Sequence, residues 1–347
     1  YWEGRPPTDE EVTWHRDSWQ IHILAWISGH LTGRIQELYE RLVQKYGKSE
    51  QPYFLAYMSS FSWGPESPRT VDELHQLSVD ELLTFLRTWK APEDKRDTSP
   101  EGLGRDIEAV IAKNTDKYVS TIDRFAGLDP VYVRAAIQGV TATAKQGNVA
   151  EWTPVLNLCS WVINQPREIP GRKTKSRMAD PDWGWTRKAI LGLLAAGAGN
   201  PNNPIPIEFR AKIWDTLRPL TDDPKHHWDP EMLSINTVRG EALHCVFQYA
   251  LWVRRHISQG EGAPERLARG LGEMPEVREV LDRHLDTITD PSLAIRAVYG
   301  QWFPWLSLLD EEWTRQRVSV IFPKGQAAYF RASWETYLRF CPPYDNV

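Results

Sequence analysis

Apolar residues recur at spacings of three and four along most of this chain, and almost no segment alternates as a β-strand does. Four clear sets are Leu103, Ile107, Val110 and Ile111; Val133, Ile137, Val140 and Ala144; Val155, Leu156, Cys159, Val162 and Ile163; and Val277, Val280, Leu281 and Leu285. Such spacing places each set on one face of an α-helix. The sequence therefore predicts an all-α protein whose helices each bury one apolar stripe.

Capping residues indicate where these helices begin. Thr70 with Glu73 and Ser78 with Glu81 fit the capping box, in which two side chains satisfy free N–H groups at a helix start. Four Asp-Pro pairs, at 129–130, 180–181, 229–230 and 290–291, suit a capping Asp followed by a first-turn proline. Helices are predicted at 9–28, 34–46, 71–76, 79–89, 100–113, 116–125, 130–145, 151–164, 181–197, 206–218, 236–258, 275–285, 291–309 (kinked at Pro304), 311–321 and 326–340.

From residue 100 onward the predicted helices fall into pairs that begin near 100, 130, 181, 236 and 291. Short connections make consecutive helices antiparallel neighbours. The sequence thus predicts an irregular α-solenoid of antiparallel helix pairs over residues 99–347. Residues 1–98 form a separate N-terminal helical region with a Pro/Ser/Gly-rich interruption over 51–69 and a charged linker over 90–98.

Two segments resemble the Asp-Pro…Val-Arg-x-x-Ala signature of HEAT-like repeats, namely Asp129-Pro-Val-Tyr-Val-Arg134-Ala-Ala and Asp290-Pro-Ser-Leu-Ala-Ile-Arg296-Ala. Thr237-Val-Arg239-Gly-Glu-Ala242 resembles the inner helix of the same repeats. The resemblance covers roughly residues 100–347. It implies a HEAT-like solenoid with an internal ladder of Asp and Arg side chains, and with small residues where helices approach closely.

The residue patterns of segments 99–105, 182–189 and 234–242 resemble those of helical regions in large bacterial NTPases of the signal-sensing, anti-phage type. No phosphate-binding glycine motif occurs in the chain itself. Residue 1 is Tyr rather than Met, which suggests a chain that is processed or cut from a longer one. The resemblance implies the recognition or scaffold segment of a larger bacterial multidomain protein with a role in defence.

Composition and charge limit the cellular compartments and the kinds of partner that suit this chain. The formal net charge of -5 argues against a general polyanion binder, whose surface is usually basic. No run approaches the roughly 18 apolar residues that span a bilayer. Cys159 and Cys245 lie in apolar helical patterns, and Cys341 is far from both, so no pair has metal-ligand spacing. These features predict a cytoplasmic protein with no membrane segment and no cofactor.

The strongest charge feature is the basic run between Arg167 and Lys188, which is interleaved with two Trp residues. Basic and aromatic side chains together can bind phosphates and stack bases, can contact a protein, or can make a surface loop soluble. A second set lies on the apolar helix 236–258, where buried polar groups form either a structural network or an active site. The candidate binding residues are Arg172, Lys173, Lys175, Arg177, Trp183, Trp185, Arg187, Arg239 and His244.

One compact cluster could in principle hold a metal ion: Asp222, Asp223, His226, His227 and Asp229. Adjacent His side chains rarely point to one centre, so a solvated loop in which Asp229 caps a helix is preferred. No metal site is therefore predicted. The common catalytic motifs, such as H-E-x-x-H and G-x-S-x-G, are also absent from the sequence.

The predicted function is a non-catalytic protein-binding or sensor scaffold, because stacked helix pairs form extended surfaces that recognise proteins. The 17 Trp residues keep two enzyme alternatives open. One is a HEAT-like DNA glycosylase, and the other is an α/α-toroid carbohydrate enzyme with Trp platforms and paired carboxylates. A nucleic-acid-binding module centred on Arg167–Lys188 is the third alternative.

Overall fold

The computed structural model describes residues 8–48, 66–91, 98–172, 179–223 and 237–341. Within these ranges the regular secondary structure is helical. Glu66 and Thr98 form an isolated β-bridge, which is not part of a strand. The all-α prediction is therefore confirmed for the part of the chain that is described. Contacts divide the chain into two units, Tyr1–Gly64 and Pro65–Val347.

The first unit contains α1 (Asp9–Trp26) and α2 (Gly33–Tyr46). The second contains α3 (Val71–Gln76), α4 (Val79–Thr88), α5 (Pro100–Lys113), α6 (Thr115–Tyr118), α7 (Pro130–Gln146), α8 (Trp152–Ile163), α9 (Gly184–Gly199), α10 (Arg210–Thr221), α11 (Val238–Ser258), α12 (Ala263–Ala268), α13 (Pro275–Leu285), α14 (Leu293–Gln301), α15 (Phe303–Leu309), α16 (Glu311–Ile321) and α17 (Ala327–Phe340). Short 3-10 helices cover Ser28–His30, Val119–Phe125, Ile207–Phe209 and Gly270–Glu273.

Local sequence signals account for several of these boundaries. The capping boxes at Thr70 and Ser78 are both present, with each hydroxyl accepting from a main-chain N–H three residues later. The side chain of Asp129 accepts from Val131 N at the start of α7. Because α3 packs on α5, the contact division places residues 66–91 with the second unit, whereas the sequence interpretation grouped them with the first.

Two segments differ from the sequence prediction. The single helix predicted over 291–309 is two helices, α14 and α15, that meet at Trp302. Pro304 then lies in the first turn of α15, where its missing N–H would have had no helical acceptor. The stretch 259–272, for which no helix was predicted, contains α12 and the start of the 3-10 helix Gly270–Glu273.

Six helices of the second unit form a series of successive contacts, which we call the first layer. In it α5 packs on α7, α7 on α9, α9 on α11, α11 on α14, and α14 on α17. Thr186 Oγ1 donates to Pro130 O over 3.2 Å near the start of both helices, and Asn200 Nδ2 donates to Ala144 O over 3.1 Å near their ends. Helices α7 and α9 therefore run in the same direction.

A second set of contacts joins the 3-10 helix Val119–Phe125 to α8, α8 to α10, and α10 to α13. Several bonds between α8 and α10 and between α9 and α11 join residues that are a similar distance apart in sequence. Ser160 and Thr216 are 56 positions apart, Cys245 and Leu191 are 54 apart, and Arg255 and Ala198 are 57 apart. A separation of about 55 residues thus recurs in the bonds among α7, α8, α9, α10 and α11. Elsewhere the separation differs, at 39 positions for Thr336 and Ala297 between α17 and α14, and at 66 for Arg210 and Glu276 between α10 and α13.

Small residues set the closest approaches between neighbouring helices. A Cβ added at Gly139 of α7 would lie 2.8 Å from Ile111 Cβ of α5, and one added at Gly300 of α14 would overlap Ser333 O of α17. Buried Trp252 donates its indole N–H to Ile205 O over 2.9 Å, as an apolar interior requires. None of the helices in the described ranges is long and apolar enough to cross a bilayer.

Candidate binding groove

The arginines of the basic run are paired inside the protein. Arg167 forms ion pairs with Asp182, over 3.3 Å, and with Asp223. Arg187 donates to Asp223 Oδ1 over 2.5 Å and to Gln165 O over 2.9 Å. Asp223 is buried, so it holds both arginines at a site from which water is largely excluded. These two cations are therefore committed to the protein's own carboxylates.

Arg172 and Arg134 form a second set of pairs at the start of α7. Arg172 donates to both carboxylate oxygens of Asp129, over 2.7 and 3.1 Å, and to Asp180 O over 2.7 Å. Arg134 holds the fully buried Asp180 carboxylate through two bonds of 2.9 and 2.8 Å. Burial raises the pKa of Asp180, and the bonds from Arg134 oppose that rise. Predicted residues Lys173, Lys175 and Arg177 lie outside the described residues.

The two Trp residues of the run have different positions. Trp183 is 7% exposed and packs edge-on against Trp161, with ring centroids 5.4 Å apart, so it belongs to the core. Trp185 is 39% exposed, and the guanidinium carbon of Arg134 lies 5.6 Å from its ring. Of the two, only Trp185 is exposed enough to contact a ligand.

Arg239 belongs to a buried cluster at the start of α11. It pairs with Asp290, which also bonds His284 Nδ1 over 2.8 Å. Burial alone would raise the pKa of Asp290, but the His284 bond and the Arg239 charge hold it below its usual value. Both His284 and Asp290 are buried, and the Arg239 side chain is 17% exposed, so the paired groups are largely enclosed by the protein.

His244 is separate from that cluster. Its Nδ1 accepts the indole N–H of Trp302 over 2.7 Å, which assigns the ring proton of the neutral form to Nε2. Burial lowers the pKa of His244 to about 4. The ring is therefore neutral and part of the packing of α11 on α14. Of the five residues considered and rejected as a metal site, only Asp222 and Asp223 are described. No group of three potential ligands occurs within the described ranges.

An open groove crosses the exposed faces of α5, α7, α9 and α11, with a volume of about 500 Å³. It is lined by Glu108 on α5, Arg134 and Lys145 on α7, Trp185 and Gly192 on α9, and Glu241 on α11. Because α9 packs between α7 and α11, its residues lie in the middle of the groove. The structure thus places one predicted binding residue, Trp185, beside side chains that the prediction did not include.

The charges of the groove are of both signs. Lys188 Nζ pairs with Glu241 over 2.8 Å, and Arg134 donates to Gln138 Oε1 over 3.2 Å as well as to its aspartate. Two charged side chains, Glu108 and Lys145, have no hydrogen bond or ion pair with any described residue. Burial raises the pKa of Glu108, against the influence of nearby Arg134.

Gly192 lies in the middle of α9 and is exposed. A Cβ added there would meet no atom within 4 Å, so no neighbouring helix of the described protein requires glycine. Sequence reasoning overlooked Gly192, Glu108 and Lys145 because each is an unremarkable residue in its own segment. The available signal was their position on the polar faces of their helices, opposite the apolar stripes.

Comparisons with protein-family models, with curated proteins and with solved structures found no match to this chain.

Proposed function

We propose that residues 99–347 form an irregular HEAT-like α-solenoid that acts as a non-catalytic protein-binding scaffold, with the groove as its binding surface. The recurrent separation of 54 to 57 residues between bonded side chains supports a stack of similar units. The short connection 147–151 between α7 and α8 fits an antiparallel pair.

Trp185 is the observation that carries the binding role. It is a large aromatic side chain, 39% exposed, held beside Arg134 in a groove that also contains fixed polar groups. Trp and Arg are the residues most enriched at the energetic centres of protein interfaces. A rigid aromatic residue with polar neighbours therefore suits the recognition of a protein segment.

The charge of the groove favours a protein over a nucleic acid. The groove places Glu108 and Glu241 among its cations, so its lining has both signs of charge and lacks the uniformly basic surface that suits a phosphate backbone. Arg167, Arg172 and Arg187 are already paired with carboxylates. The positive charge that suggested nucleic-acid binding is thus largely neutralised where it is described.

The carbohydrate-enzyme alternative requires two facing carboxylates. Glu108 on α5 and Glu241 on α11 are separated by two intervening helices. At about 9 Å per packed helix, the axes of α5 and α11 are roughly 27 Å apart. Paired catalytic carboxylates lie about 5 to 9.5 Å apart. The groove therefore supports binding better than glycoside hydrolysis.

The scaffold proposal is tested with a random peptide display library selected on the purified chain. Affinities of the selected peptides are then measured by fluorescence anisotropy for Trp185→Ala and for Trp334→Ala. The two Trp residues are equally exposed, at 39%, and Trp334 lies on α17 outside the groove. Trp185→Ala should weaken binding at least about tenfold, and Trp334→Ala should leave it unchanged.

If no peptide is selected, or if both variants bind as the wild type does, the groove is not a protein-binding surface. Binding of a single-stranded oligonucleotide that falls steeply with salt would favour the nucleic-acid alternative. Membership in a larger bacterial protein, a role in anti-phage defence and a cytoplasmic location stay predictions from the sequence.

A further inference from the structure

Gly192 weakens the helix in which it lies. Glycine in a helix interior is less favourable than alanine because it loses more backbone freedom on folding. Gly139 and Gly300 are explained by neighbouring helices that leave no room for a Cβ. Gly192 has open space in front of it, so packing within the described protein does not explain the glycine.

The position of the Glu108 carboxylate also destabilises the folded protein. The carboxylate is half-buried and receives no hydrogen bond from a described residue, and burial raises its pKa. Arg134, whose charge acts on Glu108, directs its N–H groups to Asp180 and Gln138 instead. A charge that loses water without gaining a donor destabilises the folded state.

Both residues line the same groove. We propose that the groove holds a segment of a partner protein that lies directly against α9 at Gly192 and places a basic side chain on Glu108. The inference deepens the proposed function and rests on it. A missing Cβ lets a partner backbone approach α9 closely, and a Lys or Arg side chain supplies the donors that Glu108 lacks.

The second unpaired charge supports a polypeptide as the occupant. Lys145 lines the groove and has no partner among the described residues. A segment with a basic and an acidic side chain satisfies Glu108 and Lys145 together, whereas a polyanion or a polycation satisfies only one of them. Trp185 then covers an apolar or aromatic side chain of the same segment.

The test uses the selected peptides with the full chain and two variants, Gly192→Ala and Glu108→Gln. Gly192→Ala should raise Tm by about 1 to 3 °C, since alanine favours the helix. Glu108→Gln should leave Tm unchanged or raise it, since it removes an unpaired charge. Each should weaken peptide binding about tenfold. Gly199→Ala at the exposed end of α9, and Glu335→Gln on α17, are the matched controls and should bind as the wild type does.

The peptide side of the test is a double-mutant cycle. Selected peptides should share a Lys or Arg, and changing it to Gln should weaken binding to the wild type but have little further effect on Glu108→Gln. If peptides bind through Trp185 without a shared basic residue, or if Gly192→Ala lowers Tm or leaves binding unchanged, this inference is overturned while the scaffold proposal stands. If no peptide depends on Trp185, both fall.

Discussion

At the scale of single residues, folding pairs several arginines with carboxylates that are distant in the sequence. Arg134 pairs with Asp180, 46 positions later, and Arg239 pairs with Asp290, 51 positions later. In both pairs, the Asp of an Asp-Pro segment thus bonds an Arg that lies about 50 positions earlier in the sequence. Arg296 differs, because its side chain donates to main-chain oxygens, Leu285 O among them at 2.8 Å, and burial lowers its pKa. Arg134 and Arg239 therefore join segments that lie far apart in the sequence.

His244 provides a pH-dependent prediction. Its folded pKa is about 4, and an unfolded His titrates near 6.5. Between these values the unfolded chain binds a proton that the folded protein does not. Stability should therefore fall as the pH drops from 6.5 to 4, by about 3 kcal/mol from this residue. Urea unfolding of the wild type and of His244→Gln, at pH 7 and pH 4.5, measures it.

The Gln variant keeps an acceptor for the Trp302 indole N–H but cannot titrate, so its stability should fall less between the two pH values. Equal losses in the two proteins would show that His244 is not the titrating group.

At the scale of helices, glycine has two opposite roles in this protein. Gly300 lets α14 and α17 touch, since a Cβ there would overlap Ser333 O, whereas Gly192 faces open space. The helix break at Trp302 is also an element-scale feature, because it lets Pro304 occupy a first turn. The role of a glycine in this protein therefore depends on which atoms lie opposite it.

Gly300→Ala should destabilise the protein by about 3 kcal/mol, because a main-chain oxygen cannot move aside as a flexible side chain can. Chemical unfolding provides the measurement. Gly192→Ala is the comparison, with an expected gain of up to about 1 kcal/mol. The same sign of change in both variants would contradict the packing described for α14 on α17.

At the scale of the whole second unit, the recurrence of about 55 residues has consequences for cooperativity. In a stacked array each structural repeat contacts only the repeats next to it, so a local defect has little effect on distant repeats. In a globular core the same defect would lower protection throughout. The contacts of the first layer, which join each helix to the next, fit the stacked case.

Hydrogen exchange can distinguish the two cases. Gly300→Ala should speed amide exchange mainly in α14 and α17. Gly139→Ala, whose Cβ would lie 2.9 Å from Glu108 O, should do so mainly in α5 and α7. Exchange that rises equally across all helices in either variant would contradict the solenoid proposal.

Local sequence signals predicted much of the fold. The apolar stripes predicted α5, α7, α8 and α13 closely, and the capping boxes placed the starts of α3 and α4. These predictions succeed because a helix start and a helix face depend on residues within a few positions of each other. Segment 259–272 was missed because its glycines favour a loop, although α12 forms within it.

The candidate groove could be predicted only in part. Trp185 was chosen from its place in a basic run, but Trp183, two positions earlier, is buried against Trp161. Glu108, Gly192 and Glu241 come from three helices spread over more than a hundred positions. Local sequence determined that this chain is helical and where most helices begin. Tertiary packing decided which polar faces meet and which charges remain unpaired, because both depend on neighbours that lie tens of positions away along the chain.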